Sequence, residues 1–447
     1  ENMERMAQGI EGMYPTRFYG DIFIGNANRL EEMFATRFSY QHNLSISGAT
    51  DKSDFRISAA YADNQGNLAT AYDGQKQINL RLNYGYQLAE WIRLETGASL
   101  VNTDTESPSV GLEKEAVQGI ADEVIYAPGK DFTPELVRDA DALIVRTRTH
   151  CNRELLEGSR VKFIATATIG FDHVDTEYCK QAGIEWTNAP GCNSASVAQY
   201  IQSSLLVWKS DRNKRLDELT IGIIGVGNVG SKVAKVAQSF GMRVLLNDLP
   251  REEKEGKGNF SSLDKIAEEC DIITFHVPLY KEGKYKTFHL ADENFFRSLK
   301  RKPVIINTSR GEVIETDALL NALSSQAISD AIIDVWEHEP EINRELLEKV
   351  IIGTPHIAGY SADGKANATR MSLDAICKFF QIDGDYEINA PAPASPVIQA
   401  KSHEDALLQM YNPVEDSDRL KSQPELFETL RGDYPLRREE KAYIIKY

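Results

Sequence analysis

The chain has 447 residues, of which 42% are hydrophobic, and a formal net charge of −17. That length suits about two to four domains, and that composition is ordinary for globular protein. The acidic balance argues against a main task of binding nucleic acid or an anionic membrane surface, because both need a basic patch; a local cationic pocket for a small anion stays open.

The five cysteines, Cys151, Cys179, Cys192, Cys270 and Cys377, form no C-x-x-C pair. Buried reduced thiols in a cytosolic protein are therefore expected, with no disulfide framework and no metal site. No run approaches the ~20 apolar residues of a membrane helix. Glu1–Arg17 lacks the apolar core of a signal peptide, so the start of the first part is expected to lie upstream of Glu1.

Residues 1–112 alternate apolar and polar side chains. Ile78 to Tyr86 puts Ile, Leu, Leu, Tyr and Tyr on one face; Ile92, Leu94, Ala98 and Leu100 continue it, as do Phe55, Ile57, Ala59 and Tyr61, and Leu44 with Ile46. Turn-rich stretches at 49–54 and 63–67 separate them, so the period and punctuation predict β-hairpins. A small soluble sheet is one reading. The stretches QHNLSISGATDKSDFRISAAYADNQGNL and YDGQKQINLRLNYGYQLAEWIRLETGASL resemble the barrel hairpins of SusC-like TonB-dependent outer-membrane receptors. They supply about five or six strands where a closed membrane barrel needs about eight, so no receptor function is expected of this segment alone.

From about residue 113 the chain cycles between short apolar runs and helical segments. Thr220–Ile224 reads as a buried strand, followed at once by Gly225-Val226-Gly227-Asn228-Val229-Gly230, a helical run from Ser231 to Phe240, and a second strand, Arg243–Asn247, ending in Asp248. The glycines serve a tight turn, close approach of backbone to pyrophosphate, and helix–strand packing. The helix N-terminus offers N–H groups to the phosphates. Asp248 is expected to bond the adenosine ribose, which favours NAD over NADP; a turn cap is its simpler role. Asn228, Val229 and Val277 are further expected cofactor contacts. Ile272–His276, Val304–Asn307, Ala331–Asp334 and Val350–Ile352 read as more buried strands, whose C-terminal ends are where an open α/β sheet binds ligands.

Three residues past such ends suit oxidation of a 2-hydroxy acid: Arg310 in NTSRG, Glu339 in DVWEHEP and His356 in TPHIAGYS. A histidine takes the hydroxyl proton as hydride leaves carbon. An arginine holds the substrate carboxylate in its planar fork, and a carboxylate orients the histidine and favours its charged form. Taken singly, each is equally a surface ion pair, a solvated acid or a core histidine. Asp334 has two readings, a contact to the nicotinamide amide or a capping acid. Arg146 and Arg148, after the strand 141–145, are expected to hold a substrate phosphate, and the Thr166–Gly170 loop to offer N–H groups to the carboxylate.

GIIGVGNVG, NTSRG, DVWEHEP and TPHIAGYS resemble the D-2-hydroxyacid dehydrogenases. TATIGFDHVD, NAPGCNSASVAQY and the tail resemble the branch of that family that oxidises 4-phospho-D-erythronate on the way to pyridoxal phosphate. The likeness runs from about Lys114 to Tyr447. It implies that Arg310, Glu339 and His356 are catalytic, that Asp248, Asp334 and Gly359 contact the cofactor, and that Thr147, Thr168 and Tyr360 contact the substrate. It also implies a cytoplasmic homodimer. The expected architecture is α/β: a Rossmann nucleotide domain (196–358) inserted in a flavodoxin-like substrate domain (113–195 with 359–380), hinged at the helix Ser194–Lys209, and a small α+β dimerisation domain (381–447) after the proline-rich linker 389–396. The tail's Leu407, Leu408, Tyr411, Leu426, Phe427, Leu430 and Tyr443–Ile445 need burial.

The junction breaks this pattern. The family's first helix is readable at Glu113–Gly119 and a strand at Val124–Ala127, but the strand that should precede them is not. Ala98–Asn102 is the segment expected to fill the vacant slot. Two alternatives to the leading function remain: another D-2-hydroxy acid such as 3-phosphoglycerate as substrate, or an inert fusion that binds NAD without turnover.

Overall fold

The computed structural model describes residues 12–16, 20–24, 40–49, 53–64, 75–89 and 92–105 and, from 120 onward, every residue except 122, 123, 126, 128, 385 and 394. Its contacts divide the chain into two units, 1–116 and 117–447. The expected helix at 113–119 lies outside the described residues.

In the first unit, β1 (Gly12–Thr16) and β2 (Gly20–Ile24) form an antiparallel pair. The strands β3 (Tyr40–Ala49), β4 (Ser53–Asn64), β5 (Gln75–Ala89) and β6 (Ile92–Thr105) form an antiparallel meander in sequence order. Its register aligns Ile46, Ile57, Leu82 and Ala98 in one row, and Leu44, Ala59, Leu80 and Leu100 in the next. The alternating apolar positions of neighbouring strands are therefore paired in register. Leu44 and Ile46 are nonetheless exposed.

In the second unit, the strands β7 (Ala142–Val145), β8 (Phe163–Thr166) and β9 (Glu185–Thr187) make a three-stranded parallel sheet in that order. Ala98–Asn102, the segment expected to fill the vacant slot, lies inside β6 and pairs with 78–82 of β5. One expectation fails: among the described residues of 124–127 there is no strand, and Ile125 is exposed. In the flavodoxin-like order 2-1-3-4-5 the second strand's only neighbour is the first; with no first strand among the described residues, a second has no ladder to join.

The Rossmann sheet has six parallel strands in the order β11-β10-β12-β13-β14-β15. They are β10 (Thr220–Ile224), β11 (Arg243–Asn247), β12 (Ile272–Phe275), β13 (Val304–Asn307), β14 (Asp330–Ile333) and β15 (Ile352–Gly353). The core runs Ile, Val and Phe are buried on both faces, which is what a parallel sheet between helices requires. The last strand sits later than the expected Val350–Ile352, because the Val350 N–H still closes the helix Arg344–Lys349 onto Leu346. The strand order reverses between β10 and β12, the place where such sheets bind ligands. The register makes their C-terminal ends level: Ile224 pairs Asn247 and Phe275, Phe275 pairs Asn307, and Asn307 pairs Ile333. Gly225, Asp248, His276, Thr308 and Asp334 therefore emerge along one edge.

Two long helices frame this edge. Helix α1 (Ser194–Arg212) ends where Asn213 turns left-handed, three residues beyond the expected Lys209. Helix α2 (Asn228–Ser239) starts inside the glycine loop rather than at Ser231. Next come α3 (Leu249–Glu255) and α4 (Ala362–Phe380). The tail folds as β16 (Val397–Gln399), α5 (His403–Met410), α6 (Pro413–Ser422), α7 (Phe427–Gly432) and β17 (Ile444–Lys446), with β16 parallel to β17. Tail residues Leu420 and Phe427 sit in the nucleotide-domain core and Tyr411 packs beside α1. Leu407 is buried as expected, whereas Leu426 and Ile444 are exposed. All five cysteines are buried and unpaired, and no helix among the described residues is long and apolar enough to cross a membrane.

One buried anchor ties α1 to the sheet. Asp330, at the start of β14, accepts from Trp208 Nε1 (2.9 Å) and from Arg212 Nε (3.0 Å) and Nη2. Asp330→Ala strands a buried indole N–H and is expected to cost about 1–3 kcal/mol, read as a lower denaturation midpoint; an unchanged midpoint contradicts the anchor.

Candidate active site

Two of the three loop glycines are required by their surroundings. Gly225 has φ +89°, and a Cβ there would lie 2.4 Å from the His276 carbonyl oxygen; a Cβ at Gly230 would lie 2.0 Å from that of Gly225. At Gly227 a Cβ would meet nothing within 4 Å, so this face is open for a ligand. Helix α2 begins beside it with no side-chain cap, leaving its first N–H groups and positive dipole end available to a phosphate. Asn228 packs against Gly191, and Val277 against Gly225. Asp248 accepts from Val226 N (2.9 Å) and Arg251 N (3.1 Å). It thus ties the loop to β11 and caps α3, and as a half-exposed carboxylate it keeps lone pairs for a ribose. These residues fit a dinucleotide.

His356 and Glu339 are brought together: His356 Nδ1 lies 2.8 Å from Glu339 Oε2. Glu339 Oε1 accepts from Trp336 N at 2.9 Å, so the carboxylate is fixed at both oxygens. With its proton on Nδ1, the imidazole leaves Nε2 as a free lone pair, the requirement for a base. Burial disfavours the ionised form of Glu339. The charge and hydrogen bond of His356, the Trp336 N–H and the Arg431 charge outweigh it and hold the carboxyl below its usual range.

The histidine's loop is strained and tightly held. His356 has φ +57°, and its N–H donates to Asp334 O at 2.8 Å. The Asp334 carboxylate, 1% exposed, accepts from Thr354 Oγ1 (2.7 Å), Ile357 N (2.8 Å) and Ala358 N (3.0 Å). Burial raises its pKa against these donors and the His356 charge. The geometry gives Asp334 the capping role. Gly359 is forced by a neighbour too: a Cβ there would lie 2.1 Å from Asn193 Nδ2 at the start of α1.

Arg310 follows β13. Its Nη1 donates to Ser309 O at 2.8 Å and its Nη2 lies 3.6 Å from Asp172. The guanidinium lies across Gly170, where a Cβ would sit 2.1 Å from Nη2. Arg310 is thereby set against the 166–170 loop, whose shape is fixed by Thr166 Oγ1 bonding His173 Nε2 (2.9 Å) and Thr168 Oγ1 (2.7 Å), and by Thr168 donating to Gly170 O. Burial lowers the His173 pKa.

The substrate-end residues separate. Thr147 and Arg146 are exposed, and Arg146 has no ion pair among the described residues. Arg148 is taken by Glu428 of α7 at 2.8 Å. Tyr360 accepts from Arg431 Nε at 3.0 Å. Asp172, His173, Asn193 and Arg431 were not singled out in the sequence; Arg431 lies 71 positions from Tyr360, and no local motif links them.

Residues 195–358 match the family described as D-isomer specific 2-hydroxyacid dehydrogenase, NAD binding domain. Fold and site thus define a 2-hydroxyacid dehydrogenase, and its cofactor is NAD. The chain is 84% identical over 332 residues to the erythronate-4-phosphate dehydrogenase of Bacteroides thetaiotaomicron, covering 74% of this chain and 95% of that relative. Among solved structures it resembles the NAD+-bound 3-phosphoglycerate dehydrogenase of Entamoeba histolytica (27% identity, TM-score 0.53, 63% of this chain and 94% of that one). It also resembles the Aquifex aeolicus D-lactate dehydrogenase complexed with NAD and lactic acid (29%, 0.52, 61% and 92%). This chain belongs to the erythronate-4-phosphate dehydrogenase family.

The contact at Gly170 makes a test. In Gly170→Ala only the movable side-chain ends of Arg310 and Asp172 have to yield, so stability should change by no more than about 0.5 kcal/mol. Displacing that guanidinium should lower kcat/KM roughly tenfold or more, equivalent to about 1.4 kcal/mol. Full activity in Gly170→Ala contradicts the placement.

Proposed function

We propose that this chain oxidises 4-phospho-D-erythronate to 3-hydroxy-2-oxo-4-phosphobutanoate with NAD, in a route to pyridoxal phosphate. The observation that carries the reading is the His356–Glu339 pair at 2.8 Å, set past the level ends of a dinucleotide-binding sheet with Arg310 on the next loop.

The glycine loop and Asp248 would hold NAD, which when bound would supply the hydride acceptor for C2 of the substrate. Arg310 grips the substrate carboxylate, displacing Asp172 from its guanidinium, and the N–H groups of 166–170 complete that grip. His356 Nε2 takes the C2 hydroxyl proton, and the ionised Glu339 stabilises the imidazolium that results. Thr147, Thr168 and Tyr360 align the carbon chain. Arg146, exposed and without an ion pair among the described residues, takes the phosphate; Arg148 joins it only by leaving Glu428. Asp334 serves the cofactor site through the backbone it fixes. We place closure of the cleft on the α1 hinge and the proline-rich linker, which excludes water from the reaction. The active form in this reading is a cytoplasmic homodimer joined through 381–447, where buried unpaired cysteines stay reduced.

A second reading, NAD binding without turnover, is favoured by the three-stranded substrate sheet and the absence of a strand among the described residues of 124–127. One experiment separates the two. The full chain should reduce NAD on 4-phospho-D-erythronate, and His356→Asn should lose at least ~10²-fold in kcat with NAD affinity unchanged. Equal turnover in both overturns the catalytic assignment. No turnover in either, with NAD still bound, establishes the second reading.

A further inference from the structure

The C-terminal segment reaches into the catalytic pair. Arg431, near the end of α7, is largely buried, with 19% of its side chain exposed, and its Nη1 lies 3.8 Å from Glu339 Oε2, the oxygen that holds His356. Its Nε donates to Tyr360 Oη at 3.0 Å, and the guanidinium lies over that ring at 5.9 Å. Glu428, one turn earlier, faces Arg431 Nη1 at 3.6 Å and pairs with Arg148 on the other side at 2.8 Å. A line of alternating charge thus runs Arg148, Glu428, Arg431, Glu339, His356.

The hydrogen bond to Tyr360 has a directional consequence. A phenol oxygen that accepts from a guanidinium spends a lone pair on it, and its own proton must point elsewhere. Arg431 has no acceptor, so Tyr360 can only be the acceptor in this contact. The hydroxyl proton is then left for a further acceptor, and an anionic substrate supplies one. A lysine in place of Arg431 has a point charge on a differently shaped stem and no planar fork, so it reproduces the contacts to Tyr360 and Glu339 only in part.

We propose that Arg431 is a positioning residue of the active site: it fixes Tyr360 as a hydrogen-bond donor to the substrate and braces Glu339 behind His356, so that the C-terminal segment completes the site. This rests on the proposed oxidation of 4-phospho-D-erythronate. The charge of Arg431 beside Glu339 agrees with the carboxyl's lowered pKa.

A double-mutant cycle on the full chain tests it. Arg431→Met should lower kcat/KM for 4-phospho-D-erythronate roughly tenfold or more, because a charged hydrogen bond is lost. NAD affinity and melting temperature should stay close to those of the unsubstituted chain. Arg431→Lys should recover only part of the loss. In a Tyr360→Phe background the further effect of Arg431→Met should shrink to about threefold or less, since both substitutions remove one shared interaction. Additive effects, or full activity in Arg431→Met, overturn the assignment of Arg431 while the reaction stands. An unsubstituted chain that neither oxidises nor, by calorimetry in the presence of NAD, binds 4-phospho-D-erythronate overturns the reaction and the inference with it. If the chain binds but does not turn over, the same cycle read in the calorimetric Kd decides Arg431 alone.

Discussion

The buried carboxylate of Asp334 is the constraint on which the site depends. It sits at the end of β14 and accepts from a hydroxyl and two backbone N–H groups of the loop that carries the histidine. A non-glycine residue at φ +57° is unfavourable and persists only where its surroundings over-determine it. Here they do so from both ends. Asp334 holds the loop's N–H groups, and the buried Arg437 donates to the carbonyl of Ala358 and to Ser196 Oγ at the start of α1. Ser196 in turn donates to the same carbonyl. The histidine is placed by backbone, and the glutamate then needs only to meet it.

That arrangement explains why residues far apart in the chain act as one site. The parallel register of the Rossmann sheet brings Gly225, Asp248, Asp334 and the loop after β15 to one edge. Arg310 leaves the same edge and is stopped by the loop 166–170 of the smaller sheet, where only glycine leaves room for its guanidinium. The tail then closes the far side through Arg431, and through Arg438 and the Glu439 N–H, both bonded to Asp363 of α4. Two sheets and a tail each contribute a part that the others hold in place.

Much of this is legible in the sequence because it is local. A glycine loop between a strand and a helix, and three polar residues just past apolar strands, are read from spacing alone. The strands of the nucleotide sheet accordingly lie within a few positions of where their apolar runs put them, with Arg310, Glu339 and His356 just past their ends. What was not legible is what depends on partners distant in sequence. Arg431 and Asn193 carry no motif. Leu426 and Ile444 are apolar yet exposed, since hydropathy does not say which side of a small element faces the core. The pairing of Arg148 with Glu428 is equally silent in the sequence, because the two lie 280 positions apart. Val124–Ala127 has the composition of a strand but none of its described residues forms one, because a strand exists only with a neighbour to pair with, and composition carries no trace of that neighbour.

The same point decides what is at stake in the substrate sheet. Its strands β7, β8 and β9 keep their parallel order and place Thr166 and the loop that faces Arg310. The central claim is that this suffices for hydride transfer from C2. It is tested most directly by giving the full chain NAD and 4-phospho-D-erythronate deuterated at C2 and locating the label. The account predicts deuterium in the reduced cofactor, with turnover slowed relative to the protiated substrate; bound NAD that acquires no label, or label released to water, contradicts it.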